Sequence, residues 1–140
     1  MTLYLDSSVL VAALIEDEPA HDSCLHLLRG KGLVAWTHAL AEIFATLTGG
    51  RLGIRVSPAI AAQLIEDSLV PRVRLIELGG AELVEGIRGS EAVGARGGAI
   101  YDLMHLTAAR KASAKSLYTL NARHFEAIAR KGDPAIELPN

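Results

Sequence analysis

The chain is expected to be an α/β protein, on three observations. Apolar runs of strand length alternate with segments of helical periodicity, and Gly or Pro stands at most of the junctions between them. The 50% apolar fraction is carried mainly by Ala, Leu, Ile and Val, with only 4% aromatic residues. Alternation of this kind builds layers of helix on sheet, and small aliphatic residues suit that arrangement better than a β-sandwich with aromatic packing. The 140 residues predict one domain, 1–140, with a core large enough to need no covalent staple.

Taken in order, Leu3 to Asp6 is a short apolar run that ends on a carboxylate and predicts a parallel centre strand. Ser7 or Ser8 caps the helix that follows, and Asp17 or Glu18 with Pro19 starts a second. Leu33 to Trp36 is the next strand, and Thr37 caps a third helix running to Gly49-Gly50. Ser57-Pro58 opens a fourth helix ending near Val70-Pro71, before a strand at Arg74 to Leu78. A fifth helix follows Gly79-Gly80, and a sixth spans about Ile100 to Ala112 after Gly97-Gly98. Ser116 to Leu120 is a second parallel centre strand, Asn121 opens a seventh helix, and Ala135 to Leu138 is a final strand candidate. The segment Gly86 to Gly98, with five glycines, is expected to be mobile. No internal repeat or low-complexity linker divides the chain.

Charge and cysteine content narrow the function classes. A formal net charge of -2 gives no general basic footprint for nucleic acid, so any such role must rest on local cations or metal ions. Lys31, Arg51, Arg55, Arg72, Arg74, Arg110, Lys111 and Lys115 are scattered and read as solvated charges. Cys24 is the only cysteine, which excludes an intrachain disulfide and suits a reducing compartment. His21, Cys24 and His26 lack the paired spacing of a structural zinc site, and Cys24 reads as core. No stretch free of Asp, Glu, Lys and Arg exceeds that from Gly32 to Ala41, far short of a membrane span. Acids interrupt any signal-peptide core, so a cytoplasmic protein is expected. Neither a Walker A pattern nor a Rossmann glycine fingerprint is present, and Asp6 is not followed by the Asp-x-Asp of a covalent phosphotransferase.

Three acids stand out. Asp6 at a strand end lies where open α/β sheets place their ligands. Glu42 follows an apolar stripe of Leu40, Ile43, Phe44 and Leu47 on the opposite face, so periodicity alone makes it a solvated helix residue. Asp102 lies in the first turn of its helix with His105 one turn on, where an acid also complements the helix dipole.

In combination, Asp6 in LYLDSS, Glu42 in HALAEIFATLTG and Asp102 in AIYDLMHLTAA follow the order and spacing of one family. The chain resembles the PIN-domain ribonucleases, most closely the VapC-type toxins of bacterial toxin-antitoxin pairs. The acid-proline turn Asp17-Glu18-Pro19 and the segment Thr119-Leu120-Asn121-Ala122-Arg123-His124-Phe125 extend the likeness over almost the whole chain. The resemblance implies a three-layer α/β/α sandwich with a short parallel sheet and an acidic pocket at the strand ends. It further implies metal-dependent hydrolysis of RNA, a cognate VapB-type antitoxin and a homodimer. Asp6, Glu42, Asp102 and the position of Asn121 would form the catalytic set. Asp6 and Asp102 would hold Mg²⁺ or Mn²⁺, with Glu42 reaching it through water, and Ser7, Thr119 and Arg123 would lie toward the substrate.

The residue types agree with that chemistry. Mg²⁺ and Mn²⁺ take hard oxygen ligands in octahedral arrays and keep several waters, so converging carboxylates suit them better than His or Cys. A bound cation also inverts the sign of an acidic pocket toward phosphate. At Asn121 the sequence departs from the family, which places a further acid there. Asn121 can offer a neutral carbonyl oxygen, or simply cap the next helix, and one ion is expected in place of two. A catalytically weak PIN-like module that binds RNA or protein is the alternative reading. A receiver-like phosphoacceptor would use Asp6 but has no need of Glu42.

Overall fold

The computed structural model describes residues 1–50 and 53–140; Arg51, one of the scattered cations, lies outside the described residues. Five strands form one sheet, β1 (Leu3–Leu5), β2 (Leu33–Trp36), β3 (Arg74–Ile76), β4 (Ser116–Tyr118) and β5 (Ala135–Glu137), in the order β3-β2-β1-β4-β5. Every neighbouring pair is parallel, with Leu3 opposite Leu33 on one side and Ser116 on the other. Parallel strands need crossovers, and helices supply them. The helices are α1 (Ser7–Leu14), α2 (His21–Leu28), α3 (Ala39–Gly49), α4 (Pro58–Leu64), α5 (Gly80–Arg88), α6 (Ser90–Val93), α7 (Ala99–Lys111) and α8 (Ala122–Glu126).

Side chains alternate across a strand with a period of two, and the sheet here separates two cores. Leu5, Leu33 and Ala35 join Val9, Leu10, Leu28, Ile43 and Leu47 on one face, under the first four helices. Tyr4, Val34, Trp36 and Ile76 join Leu103, Leu106, Leu117 and Phe125 on the other, under α7 and α8. The result is the expected α/β/α sandwich. Burying each Leu or Ile contributes roughly 1.5–3 kcal/mol, which is why three-residue strands suffice at the centre of the molecule.

Strand order explains where the site lies. From β1 the chain moves outward through β2 to β3, then returns to the other side of β1 through β4 to β5. The direction of winding reverses between β1 and β4, and the crevice beyond the carboxyl ends of strands at such a switch point is where α/β sheets bind ligands. Asp6 follows β1 and Thr119 follows β4, so both stand at that crevice.

Several local expectations are corrected. Asp6 itself, not Ser7 or Ser8, caps α1, its carboxylate accepting from the Val9 N–H. The second helix starts at His21 and not at the acid-proline turn, with Ala20 at its cap. Thr37 does not cap α3; His38 holds that position with no side-chain bond, and only the Thr37 carbonyl accepts the Leu40 N–H. Ser57 and Pro58 do open α4, with the Ser57 hydroxyl accepting from the Ile60 N–H, and a π-type turn at Ile65–Leu69 completes the segment. Gly50 ends α3 with φ of 75°, a left-handed conformation that glycine adopts without strain. The segment Gly86 to Gly98 holds the last turn of α5 and all of α6, and Ala95 is buried in the second core. Cys24 is fully buried.

Candidate active site

Asp6 is fixed by three donors. Its Oδ1 accepts from the Ser8 hydroxyl at 2.5 Å and the Val9 N–H at 3.2 Å, and its Oδ2 accepts from the Thr119 hydroxyl at 2.6 Å. Both hydroxyls are tied in turn to the segment after β4. Ser8 Oγ accepts from the Leu120 N–H at 3.0 Å, and Thr119 Oγ1 accepts from the Asn121 N–H at 2.9 Å. Two neighbouring strand ends are thereby joined through one buried carboxylate. The N-terminus of α1 adds a favourable dipole to its negative charge.

Glu42 departs from its periodicity-based place in solvent. The buried face of α3 is Ala39, Ile43 and Leu47, while Phe44 is 38% exposed. That rotation turns Glu42 inward, half buried. Its Oε1 accepts from the Ser7 hydroxyl at 2.7 Å and from His105 Nε2 at 2.8 Å. Burial pushes its carboxyl up, but those two hydrogen bonds and the nearby imidazoles of His105 and His38 outweigh it, so the pKa is lowered overall.

His105, buried on α7, sits behind Glu42 and satisfies both ring nitrogens. Burial raises the Tyr4 phenol well above its ordinary range, so it stays protonated and its hydroxyl donates to His105 Nδ1 at 2.5 Å. The other nitrogen, Nε2, faces Glu42 Oε1 at 2.8 Å, and the partner on Nδ1 orients the ring for that contact. Spacing already put His105 one turn from Asp102; its role in holding Glu42 was missed, because the partner is 63 positions away.

Asp102 is the exception among the three acids. It is half buried in the first turn of α7, and its carboxylate makes no hydrogen bond among the described residues. Burial raises its pKa, the nearby charges of Asp6 and Glu42 add to the rise, and His105 and His124 oppose it. Asp6, Glu42, Asp102 and Asn121 line one cavity of about 980 Å³, with Ser7 and Glu18 also in its wall. Asn121 stands at the N-cap of α8 but makes no capping bond with its side chain. Thr119, expected at the substrate, lies beneath Asp6 instead and is fully buried. Arg123 is exposed on α8 and is not part of the cavity wall. Glu18, from the acid-proline turn, also lines the cavity, as do His38 and Tyr101, and none of the three was expected to take a site role.

Among the described residues, no three of Asp, Glu, His and Cys come close enough to enclose an ion by themselves. The donor set nonetheless suits a hard cation that keeps part of its water shell. Asp6 is held rigidly, Glu42 has one oxygen free of partners among the described residues, and Asp102 has both. Mutually repelling acids at one cavity, one of them unpaired, form the charge environment that a cation relieves.

The chain matches the family model described as PIN domain over residues 3–131. Solved structures are similar over nearly the whole chain. The Mycobacterium tuberculosis toxin VapC20, described as cleaving the sarcin-ricin loop, is 18% identical with a TM-score of 0.72, covering 95% of this chain and 100% of that one. VapBC2 from Rickettsia felis, bound to a promoter DNA fragment, is 19% identical with a TM-score of 0.67, covering 100% of both chains. PAE2754 from Pyrobaculum aerophilum is 22% identical with a TM-score of 0.63, covering 97% of this chain and 83% of that one. At these identities the likeness is one of fold. No curated protein matches the sequence.

Proposed function

Since this chain belongs to the PIN-domain family, we propose that it is a divalent-metal-dependent endoribonuclease, the toxin of a toxin-antitoxin pair of the VapBC kind. The observation that carries the reading is the convergence of Asp6, Glu42 and Asp102, from three separate elements, on one cavity at the switch point of the sheet. Asp6 and Asp102 would hold Mg²⁺, or Mn²⁺ in its place, and Glu42 would reach it through water. When bound, such a cation supplies Lewis acidity toward the phosphate and lowers the pKa of a coordinated water.

The chain's own residues do the rest. Ser8 and Thr119 hold Asp6 in one rotamer through charge-assisted hydrogen bonds. His105 and Ser7 keep Glu42 ionised and turned toward the cavity, where it can take a proton from a water molecule. Asn121 offers a carbonyl oxygen without charge. A cognate VapB-type antitoxin, a homodimer and a cytoplasmic location belong to the same proposal. Among the described residues, no helix is long and apolar enough to cross a membrane.

The test is RNA cleavage by the purified chain with Mg²⁺ or Mn²⁺, compared with chelator and with Asp6→Asn. Cleavage lost in both controls supports the reading, and cleavage unchanged in both contradicts it. The neutral Asn121 favours a second reading, a catalytically weak module that binds RNA or protein; RNA binding with no cleavage under any metal would select it.

A further inference from the structure

Four aromatic rings run from the mouth of the acidic cavity to its buried end. Tyr101 is 50% exposed and lines the cavity beside Asp102. Its ring lies parallel to that of His38, 9° apart in plane with centroids at 5.8 Å. His38, also exposed and lining the cavity, leans at 4.7 Å on Trp36, which is 6% exposed. Trp36 in turn meets His105 edge-on at 5.2 Å, and His105 holds Glu42. The inner rings belong to the core. The outer pair does not: Tyr101 and His38 keep their rings in solvent, and a side chain built at Gly97 or Gly98 just before α7 would meet nothing within 4 Å.

The charge of the wall limits what can bind there. Asp6, Glu18, Glu42 and Asp102 line the cavity, and among the described residues no Lys or Arg does. Among the described residues a phosphodiester chain therefore meets no Lys or Arg on this wall, and the nonspecific, salt-dependent attraction that such side chains usually give to nucleic acid does not come from them here. Beside the attraction of a bound cation for phosphate, a neutral contact that every nucleotide can make would add affinity. Stacking of a base on an aromatic face is that contact, and it requires a base free of its duplex.

We infer that the Tyr101–His38 stack is a nucleobase platform, which seats an unpaired nucleotide next to the scissile phosphate. This rests on the nuclease reading above and assigns the residues that seat the nucleotide beside the scissile bond. Tyr101 supplies the outer face, and His38, buttressed by Trp36, keeps it from turning away.

Trp36 is the only tryptophan in the chain, so its fluorescence reports on the stack. The experiment titrates the full chain with a mixed-sequence single-stranded oligoribonucleotide, following Trp36 emission, and measures cleavage kinetics with Mn²⁺. Wild type, Tyr101→Ala and Tyr101→Phe are compared after circular dichroism has shown equal folding. The expected result is a saturable emission change in wild type and Tyr101→Phe, weaker binding and a KM raised by about tenfold in Tyr101→Ala with kcat little altered, and poor competition by duplex RNA. Wild-type cleavage with the same KM in Tyr101→Ala overturns the platform and leaves the nuclease reading standing. RNA binding without cleavage, still lost in Tyr101→Ala, overturns the nuclease reading and supports the platform. Neither binding nor cleavage by wild type overturns both. Saturation of the Trp36 signal by an arginine-rich peptide and not by RNA assigns the wall to a protein partner and overturns the platform.

Discussion

Asp102 is half buried, and its carboxylate has no hydrogen-bond donor among the described residues, so ionisation costs the folded chain more than the unfolded one. Its pKa is raised in the fold, hence the folded chain binds the proton more tightly. Stability from this group declines as pH rises from the ordinary value of 3.8 through the raised one, and remains lower above it. Asp102→Asn should therefore raise the thermal midpoint of the metal-free protein at neutral pH, by about a few degrees, while abolishing cleavage; differential scanning fluorimetry checks the first and an RNA assay the second. Glu42 has the opposite sign. Its pKa is lowered, so its contribution is complete above the ordinary value of 4.5 and is lost as pH falls through the lowered one. Glu42→Gln should reduce the midpoint at pH 7, with the difference from wild type closing on acidification. At this scale the three acids were legible through the combined motifs LYLDSS, HALAEIFATLTG and AIYDLMHLTAA and their family resemblance, since periodicity and helix position alone left Glu42 and Asp102 as ordinary helix acids. The environment of each was not legible, because Ser7, His105 and Thr119 act across gaps of 35, 63 and 113 positions.

Helix α3 positions Glu42, and what fixes its rotation is the buried row Ala39, Ile43 and Leu47. The apolar pattern alone pointed to Leu40 and Phe44 as part of that face, because a periodicity of 3.6 tolerates neighbouring stripes and only the sheet decides between them. Ile43→Ala would empty the central position of the row, at a cost of about 2–4 kcal/mol; urea denaturation reads the loss as a lower midpoint with unchanged slope. The surviving folded protein should bind RNA more weakly, since Glu42 and His38 both ride on the start of α3. Helix starts were the least legible elements. Ser7 and Ser8 are good caps by type, yet Asp6 outcompetes them for α1, and both serines spend their hydroxyls on acids instead. At Ser57-Pro58 the start was read correctly, whereas the similar acid-proline signal at Asp17-Glu18-Pro19 misplaced the start of α2.

At the scale of the whole molecule, the alternation of elements made an α/β chain legible, and the resemblance to the PIN family supplied the three-layer arrangement. The strand order β3-β2-β1-β4-β5 was not legible from periodicity, because it depends on the side to which each crossover returns. That order places the candidate site, since it sets β1 beside β4 and lets Asp6 bond to Thr119. With two cores meeting at the same short sheet, residues 1–140 should unfold as one unit, and calorimetry should show a single transition with equal calorimetric and van't Hoff enthalpies. In the proposed function, acids from separate elements form one cation site at the switch point. Titration of the full chain with Mn²⁺, followed by isothermal calorimetry, tests it most directly. Saturable binding is expected in wild type and is lost in Asp6→Asn and in Asp102→Asn, both of them folded; no binding by wild type, or equal binding by all three, rules out the carboxylate cation site.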